Sequence, residues 1–220
     1  MPQAPSKFNL VAARMPFAPR QIRVSLILLL LCGLSSGADA EVIARKSVSY
    51  FDIKGNSADA LDAALNAHGP VTMGSSSRHP GATKVRFGGN ATYSERNGRC
   101  YIADVKITVD TEIILPRWRD RRHASRQLSM IWDTLSADIR RHEDRHAEIA
   151  REHARRMEKS ILALPPAKDC DALQDKANDV TTQETQLHDE DQARFDKIEA
   201  INFQSRIQRL MTYRSQQTGE

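Results

Sequence analysis

The chain has 220 residues, of which 40% are hydrophobic and 27% are charged, with a formal net charge of +4. This apolar content is sufficient for one ordinary folded domain and excludes a disordered tail. Four of the 32 basic residues but only one of the 28 acidic residues lie in positions 1–40. Positions 41–220 therefore contain 28 basic and 27 acidic residues. A nearly neutral domain argues against nucleic-acid binding, which needs a net basic surface.

Residues 1–40 have the pattern of a secretory signal peptide. Arg20 and Arg23 precede the apolar run VSLILLLLCGL, and small residues lead to a cleavage sequence at Ala38 to Ala40. The apolar run is too short to span a bilayer as a mature helix. The pattern therefore predicts a periplasmic or secreted protein. Its mature part, residues 41–220, is expected to form a single domain that has no membrane attachment after cleavage.

The first half of the mature chain predicts a small sheet and a short helix. The segment VIARKSVSYFDI favours a strand, and GNSADALDAALNAHGP favours a helix that ends at Gly69-Pro70. Two further strands, ATKVRFGGNATYSER and RCYIADVKITVDTEIILP, flank Asn97-Gly98, which is a strong hairpin-turn pair. Hydrophobic and polar residues alternate from Val105 to Leu115, which indicates that this strand has one buried face.

The second half of the chain changes to helical periodicity. From about Ser129, apolar residues and histidines follow one another at steps of three or four up to Pro165-Pro166, which predicts one long helix. The residues from Cys170 onward indicate a return helix. The predicted fold class is α+β, with a small antiparallel sheet and a short helix packed on the long helix and on an antiparallel return helix.

The long helix carries an H-E-x-x-H motif formed by His142, Glu143 and His146, within the segment IRRHEDRHAEIAREH. Histidines four residues apart lie on the same side of a helix, so both imidazoles can bind one tetrahedral metal ion at about 2.0–2.1 Å. Both lie inside the apolar stripe rather than on the charged faces. The motif predicts a Zn²⁺ centre with Glu143 as the general base. Structural histidines buried in a core are the alternative interpretation.

The third metal ligand is predicted from the expected pairing of the two helices. If they are antiparallel, a rise of about 1.5 Å per residue brings the return helix level with His146 near His188 to Asp191. His188 is the predicted ligand, and Asp191 and Glu199 are the alternatives. His153 lies about 10 Å along the helix from His146, so we expect it to be buried or to line a pocket rather than to bind the same metal.

Cys100 and Cys170 are the two cysteines of residues 41–220. In an exported protein, an even pair favours a disulfide over a metal site. Two unpaired, buried thiols are the alternative.

The chain resembles a family of secreted bacterial proteins that is catalogued as a domain of unknown function and described as predicted zinc-dependent proteases. The resemblance rests on SYFDIKGNSADALDAALNAHGP, GRCYIADVKITVDTEIILPRW, RRHEDRHAEIA and LPPAKDCDAL, in this order. It implies a zincin-like centre with His142 and His146 as ligands and Glu143 as base, and it implies that Cys100 and Cys170 correspond to the family's paired cysteines. Family members often end with Tyr-Asp and Thr-x-His-Gly, whereas the matching region here reads FDKIEAINF and has no final histidine.

The expected function is that of an exported zinc-dependent peptidase, which hydrolyses amide bonds in a peptide or protein substrate through a metal-activated water. The strand from Val105 to Leu115 is the candidate wall along which a substrate would lie. Two alternatives remain: an exported metal-binding or scaffold module without catalysis, and a cell-wall amidase that uses the same centre.

Overall fold

The computed structural model describes residues 42–71 and 78–218. The predicted signal peptide, residues 1–40, lies outside the described residues. In chain order the secondary-structure elements are β1 (Ile43–Ile53), α1 (Ala58–His68), β2 (Ala82–Arg96), β3 (Arg99–Trp118), a short 3₁₀ turn (Arg121–His123), α2 (Arg126–Leu162) and α3 (Cys170–Thr218). The predicted α+β class is confirmed.

The three strands form one sheet in the order β1-β3-β2. The β2–β3 hairpin is antiparallel, and it turns at Asn97 and Gly98 with φ angles of 51° and 68°. Positive φ at both positions is what a two-residue hairpin turn requires, and Asn-Gly is the pair that adopts it most readily. The sequence therefore predicted this turn correctly.

β1 is parallel to β3, with Ile43 opposite Thr108 and Ile53 opposite Trp118. The sheet is therefore mixed, and the predicted antiparallel arrangement holds for the hairpin alone. The reason lies in the connection: after β1 the chain passes through α1 and runs along β2 before it reverses into β3. Two antiparallel reversals bring β3 back in the direction of β1.

β3 occupies the centre of the sheet, and from Thr108 to Ile114 it pairs with β1 on one edge and with β2 on the other. An extended peptide adds to a free strand edge, which β3 does not offer. The prediction that the strand from Val105 to Leu115 forms the substrate wall is therefore wrong. Its apolar face instead packs on the helices, and the members of this core cluster are Val105, Ile107, Val109, Ala150, Ala154, Met157, Ile161 and Ala177.

The two long helices run antiparallel to each other. α2 begins after Ser125, whose Oγ accepts a hydrogen bond from the Leu128 main-chain N–H at 3.2 Å, and it ends before Pro165-Pro166. α3 then runs back along α2. His153 of α2 contacts Glu184 of α3, whereas Asp138, nearer the start of α2, contacts Arg206, which is farther along α3. The predicted return helix is confirmed. Within the described residues, no helix is both long and apolar enough to cross a membrane.

A disulfide joins Cys100 at the start of β3 to Cys170 at the start of α3, with a Cα–Cα distance of 5.1 Å. Cys100 is fully buried, and its main chain exchanges two hydrogen bonds with Ala167. The cross-link therefore fixes the sheet to the connection between the two long helices. The pairing agrees with the one that the sequence predicted.

Reduction of this disulfide is expected to lower the free energy of unfolding by about 2–4 kcal/mol, because the bridge restricts the unfolded chain over a large loop. The two cysteines are 70 residues apart in sequence. Denaturant unfolding with and without reductant measures the difference, and peptide mapping without reductant should yield the cross-linked Cys100–Cys170 fragment. Two alkylatable thiols in protein isolated from an oxidising compartment would contradict the prediction.

Candidate metal centre

His142 and His146 lie one turn apart on the side of α2 that faces α3. Their Nε2 atoms are 3.0 Å apart, and both imidazoles contact the ring of Phe195 on α3. The Phe195 ring stacks on His142, with ring centroids 5.0 Å apart, and meets the edge of His146 at 5.1 Å. This packing holds both Nε2 atoms toward one point between the helices.

Asp196 on α3 completes a group of three donor atoms. Its Oδ1 lies 3.2 Å from His142 Nε2 and 3.0 Å from His146 Nε2. Two imidazole nitrogens and one carboxylate oxygen are the ligand types that Zn²⁺ uses in catalytic sites with three protein ligands. Donor atoms at about 2.0–2.1 Å from a tetrahedral ion are about 3.3 Å apart, so these separations fit zinc coordination.

The electrostatics of Asp196 and His146 match this arrangement. Burial alone would raise the pKa of the Asp196 carboxyl, but hydrogen bonds with His142 and His146 hold it well below its usual range. Burial lowers the pKa of His146, yet the contacts with Asp196 and Gln192 outweigh burial and raise it. The carboxylate is therefore ionised and attracts a cation between the helices, either a proton on His146 or a metal ion.

His188, the predicted third ligand, lies elsewhere on α3. Its Nδ1 is 2.9 Å from Asp189 Oδ1, and its Nε2 is 2.8 Å from Gln192 Nε2. The structure therefore places Asp196, and not His188, beside the two histidines. Two features of the helix register explain the difference. Gln192, the residue after the predicted range His188 to Asp191, lies opposite His146. The donor atoms meet between His142 and His146, which corresponds to Asp196, about one turn farther along α3.

The two alternative ligands also have other partners. Asp191 Oδ2 is 3.1 Å from His153 Nε2, farther along α2. The Oε2 atom of Glu199 is 3.0 Å from Arg206 Nη2 and also binds Arg141. The structure brings neither carboxylate into the group of His142, His146 and Asp196.

The outer nitrogens of the two imidazoles face protein acceptors. His146 Nδ1 hydrogen-bonds to Gln192 Oε1, and His142 Nδ1 lies 3.6 Å from Glu199 Oε2. Acceptors on the outer nitrogen orient a ligating histidine and leave its other nitrogen free to bind a metal. Gln192 therefore supports His146 through a hydrogen bond, whereas Glu199 lies beyond hydrogen-bond distance of His142, and neither residue belongs to the group of donor atoms.

Glu143 projects toward the sheet, where it meets the start of β2. Its carboxylate accepts a hydrogen bond from Thr83 Oγ1 at 2.9 Å, and the residue is only 4% exposed. Burial raises the pKa of Glu143, and the Thr83 hydroxyl and the two histidines act to lower it. Gly81 lies so close that a Cβ there would be 2.9 Å from Glu143 Oε1. The chain before β2 thus passes directly against this carboxylate.

His153 is 1% exposed and lies between Glu184 and Asp191, so the prediction of a buried histidine outside the metal group is confirmed. Sequence reasoning missed Asp196, Gln192 and Thr83. The sequence did contain one indication of Asp196: the pair Phe195-Asp196 lies in the region where members of the similar family often have Tyr-Asp. No comparable pattern marked Gln192 or Thr83.

The sequence matches the model of a bacterial protein family of unknown function, DUF922, over residues 48–203. This range contains all three donor residues as well as Glu143 and both cysteines. No curated protein and no solved structure matches the chain. The chain therefore belongs to the DUF922 family of bacterial proteins, whose function is unknown.

Proposed function

We propose that the protein is an exported zinc-dependent peptidase. The observation that carries the proposal is the convergence of His142 Nε2, His146 Nε2 and Asp196 Oδ1, within 3.2 Å of one another, next to the buried carboxylate of Glu143. Three protein ligands leave one position of a tetrahedral ion for water or substrate, which distinguishes a catalytic zinc site from a structural one. The H-E-x-x-H spacing supplies a carboxylate beside that position.

Each residue has a defined role in amide hydrolysis. Zn²⁺ held by the three donors would act as a Lewis acid toward the amide carbonyl and would make water more acidic. Glu143 takes the proton of the attacking water and returns it to the departing amine nitrogen. Its raised pKa suits this exchange, because a base works best when its pKa lies near the operating pH. Thr83 holds the carboxylate through its hydrogen bond to Oε2.

The proposed substrate is a peptide or protein encountered in the periplasm or outside the cell, as the leader sequence predicts. β2 replaces β3 as the candidate wall, because it lies at an edge of the sheet and its residue Thr83 contacts Glu143. An extended peptide that pairs with a strand edge presents its carbonyls at regular intervals along that edge. The side chain of Asp196 is 55% exposed, so the group of donor atoms is open to solvent on the α3 side.

A binding module without catalysis is the second candidate. It is favoured by the exposed apolar side chains of Ile198, Ile201 and Phe203 on α3, which are 50%, 74% and 40% exposed. Ile198 and Ile201 lie three residues apart on one side of α3, and neighbouring exposed apolar side chains are typical of an interface with a partner. This module could hold the same metal ion, but it would have no use for the carboxylate of Glu143.

A peptide-library digest of the mature protein tests the proposal. Cleavage is expected with zinc present, and it should disappear when a chelator removes the metal and return when zinc is restored. A parallel digest of purified peptidoglycan distinguishes a peptidase from a cell-wall amidase. A zinc-loaded protein that cleaves neither substrate would favour the binding module.

A further inference from the structure

A chain of polar side chains on α3 connects the surface to the metal ligand His146. We propose that Asp189, His188 and Gln192 fix which nitrogen of His146 carries its proton, so that the Nε2 lone pair faces the metal. His188 is then a positioning residue that acts through Gln192. The inference rests on the proposed metal centre, and it concerns the orientation of hydrogen bonds behind one ligand.

Asp189 determines which nitrogen of His188 carries a hydrogen. Its Oδ1 lies 2.9 Å from His188 Nδ1, and an ionised carboxylate can only accept hydrogen bonds. His188 Nδ1 must therefore carry a hydrogen. Burial lowers the pKa of His188 more than Asp189 raises it, which keeps the ring neutral. A neutral imidazole that is protonated on Nδ1 has a lone pair on Nε2.

The second step fixes the side-chain amide of Gln192. One of its terminal atoms lies 2.8 Å from His188 Nε2 and 3.2 Å from the main-chain oxygen of His146. Both of these atoms are acceptors, and an amide NH₂ group has two hydrogens to donate. The atom between them must therefore be the nitrogen of Gln192. Two independent acceptors, one of them a main-chain carbonyl, assign the same orientation.

The third step concerns the contact between Gln192 and the proposed ligand His146. With its nitrogen directed at His188, Gln192 presents Oε1 to His146 Nδ1. An amide oxygen only accepts, so His146 must donate from Nδ1. Its Nε2 faces Asp196 Oδ1 at 3.0 Å, and a metal ion bound between these two atoms would take the place of a proton on Nε2. If the amide were turned over, its NH₂ group would face His146 Nδ1 and would favour the opposite tautomer, which cannot bind a metal through Nε2.

The position of His188 explains why this row of hydrogen-bonded side chains is rigid. The residue is 6% exposed, and its ring contacts the rings of Phe87 on β2 and His153 on α2 at centroid distances of 5.0 and 5.5 Å. A buried ring with aromatic neighbours on two sides has little freedom to turn. The amide of Gln192 therefore meets an acceptor that is fixed by the core.

The Gln192→Met variant tests the link to His146, because methionine keeps the length of the side chain and removes both hydrogen-bonding arms. Zinc affinity, measured by calorimetric titration, is expected to fall by about 10-fold or more, as is typical when the partner behind a ligating histidine is lost. Gln192→Glu keeps an acceptor at Nδ1 and should bind zinc far more tightly than Gln192→Met. The exposed Gln183 on the same helix supplies the matched control Gln183→Met, which should bind as the wild type does.

Imidazole nitrogen NMR of the zinc-loaded protein shows directly which nitrogen of His146 carries the proton and which one binds the metal. The His146 signals, assigned by their loss in His146→Gln, should show the proton on Nδ1 in the wild type and a mixture of tautomers in Gln192→Met. An Nε2-protonated ring in the wild type, or an unchanged tautomer and zinc affinity in Gln192→Met, would overturn the inference. A wild type that binds no zinc would instead contradict the proposed metal centre.

A double-mutant cycle separates the role of His188 in this chain from its role in packing. His188→Ala should weaken zinc binding in the wild type, and it should cause no further loss in the Gln192→Met background, because the connection is already broken. Equal losses in both backgrounds would show that His188 acts through its contacts with Phe87 and His153, and its proposed role would then be rejected.

Discussion

The Glu143→Gln variant is expected to lose amide hydrolysis by about 100-fold or more while it binds zinc as tightly as the wild type. Glutamine has the same shape as glutamate, so its side-chain oxygen can still accept the hydrogen bond that Thr83 donates. It cannot take a proton from water, and that is the function proposed for the carboxylate. The three proposed ligands, His142, His146 and Asp196, are unchanged in this variant, so zinc affinity should not fall.

The measurement is a rate comparison on a peptide cleaved by the wild type, with zinc content determined on the same samples. Glu148→Gln is the matched control, since Glu148 lies on the exposed side of the same helix and pairs with Arg145. The control should cleave at the wild-type rate. If Glu143→Gln also cleaves at that rate, Glu143 is not the base and the chemistry proposed here is incorrect.

The second large effect is expected from Asp196→Ala, which should weaken zinc binding by an order of magnitude or more. The loss follows from the removal of one of three ligands, and the removed group is the only one of the three that is an anion. Asp179→Ala provides the control, because Asp179 is an exposed residue on the same helix. Calorimetric titration with zinc measures both variants.

The result also decides between the ligand predicted from sequence and the ligand that the structure indicates. His188→Ala should weaken zinc binding less than Asp196→Ala does, since His188 acts behind the ligand His146. A larger loss in His188→Ala or in Asp191→Ala would mean that Asp196 is not the third ligand.

Features that depend on local sequence were predicted well. The positions of His142, Glu143 and His146 on one helix follow from the helical period alone, and the Asn97-Gly98 turn follows from the φ angles that only a few residues adopt readily. The start of α2 follows from the change of period, and its end follows from Pro165-Pro166. In each case the residues that decide the structure are neighbours in the chain.

Features that depend on packing between distant segments were predicted less well. The third donor is set by the register of α3 against α2: Gln192 rather than His188 lies level with His146, and Asp196 lies about two turns beyond His188. The contact between Thr83 and Glu143 spans 60 residues and depends on how β2 approaches the helix. The parallel pairing of β1 with β3 has the same origin, because it depends on the path of the chain through α1 and β2.

Zinc analysis of the mature protein, purified without chelators from an oxidising compartment, measures whether the three donors hold a metal ion. About one zinc ion per chain is expected, with retention lost in the His142→Ala/His146→Ala double variant, because a catalytic site of this kind needs its three protein ligands. A wild-type protein that contains no zinc, and that binds added zinc no more tightly than the double variant does, would contradict the proposed metal centre.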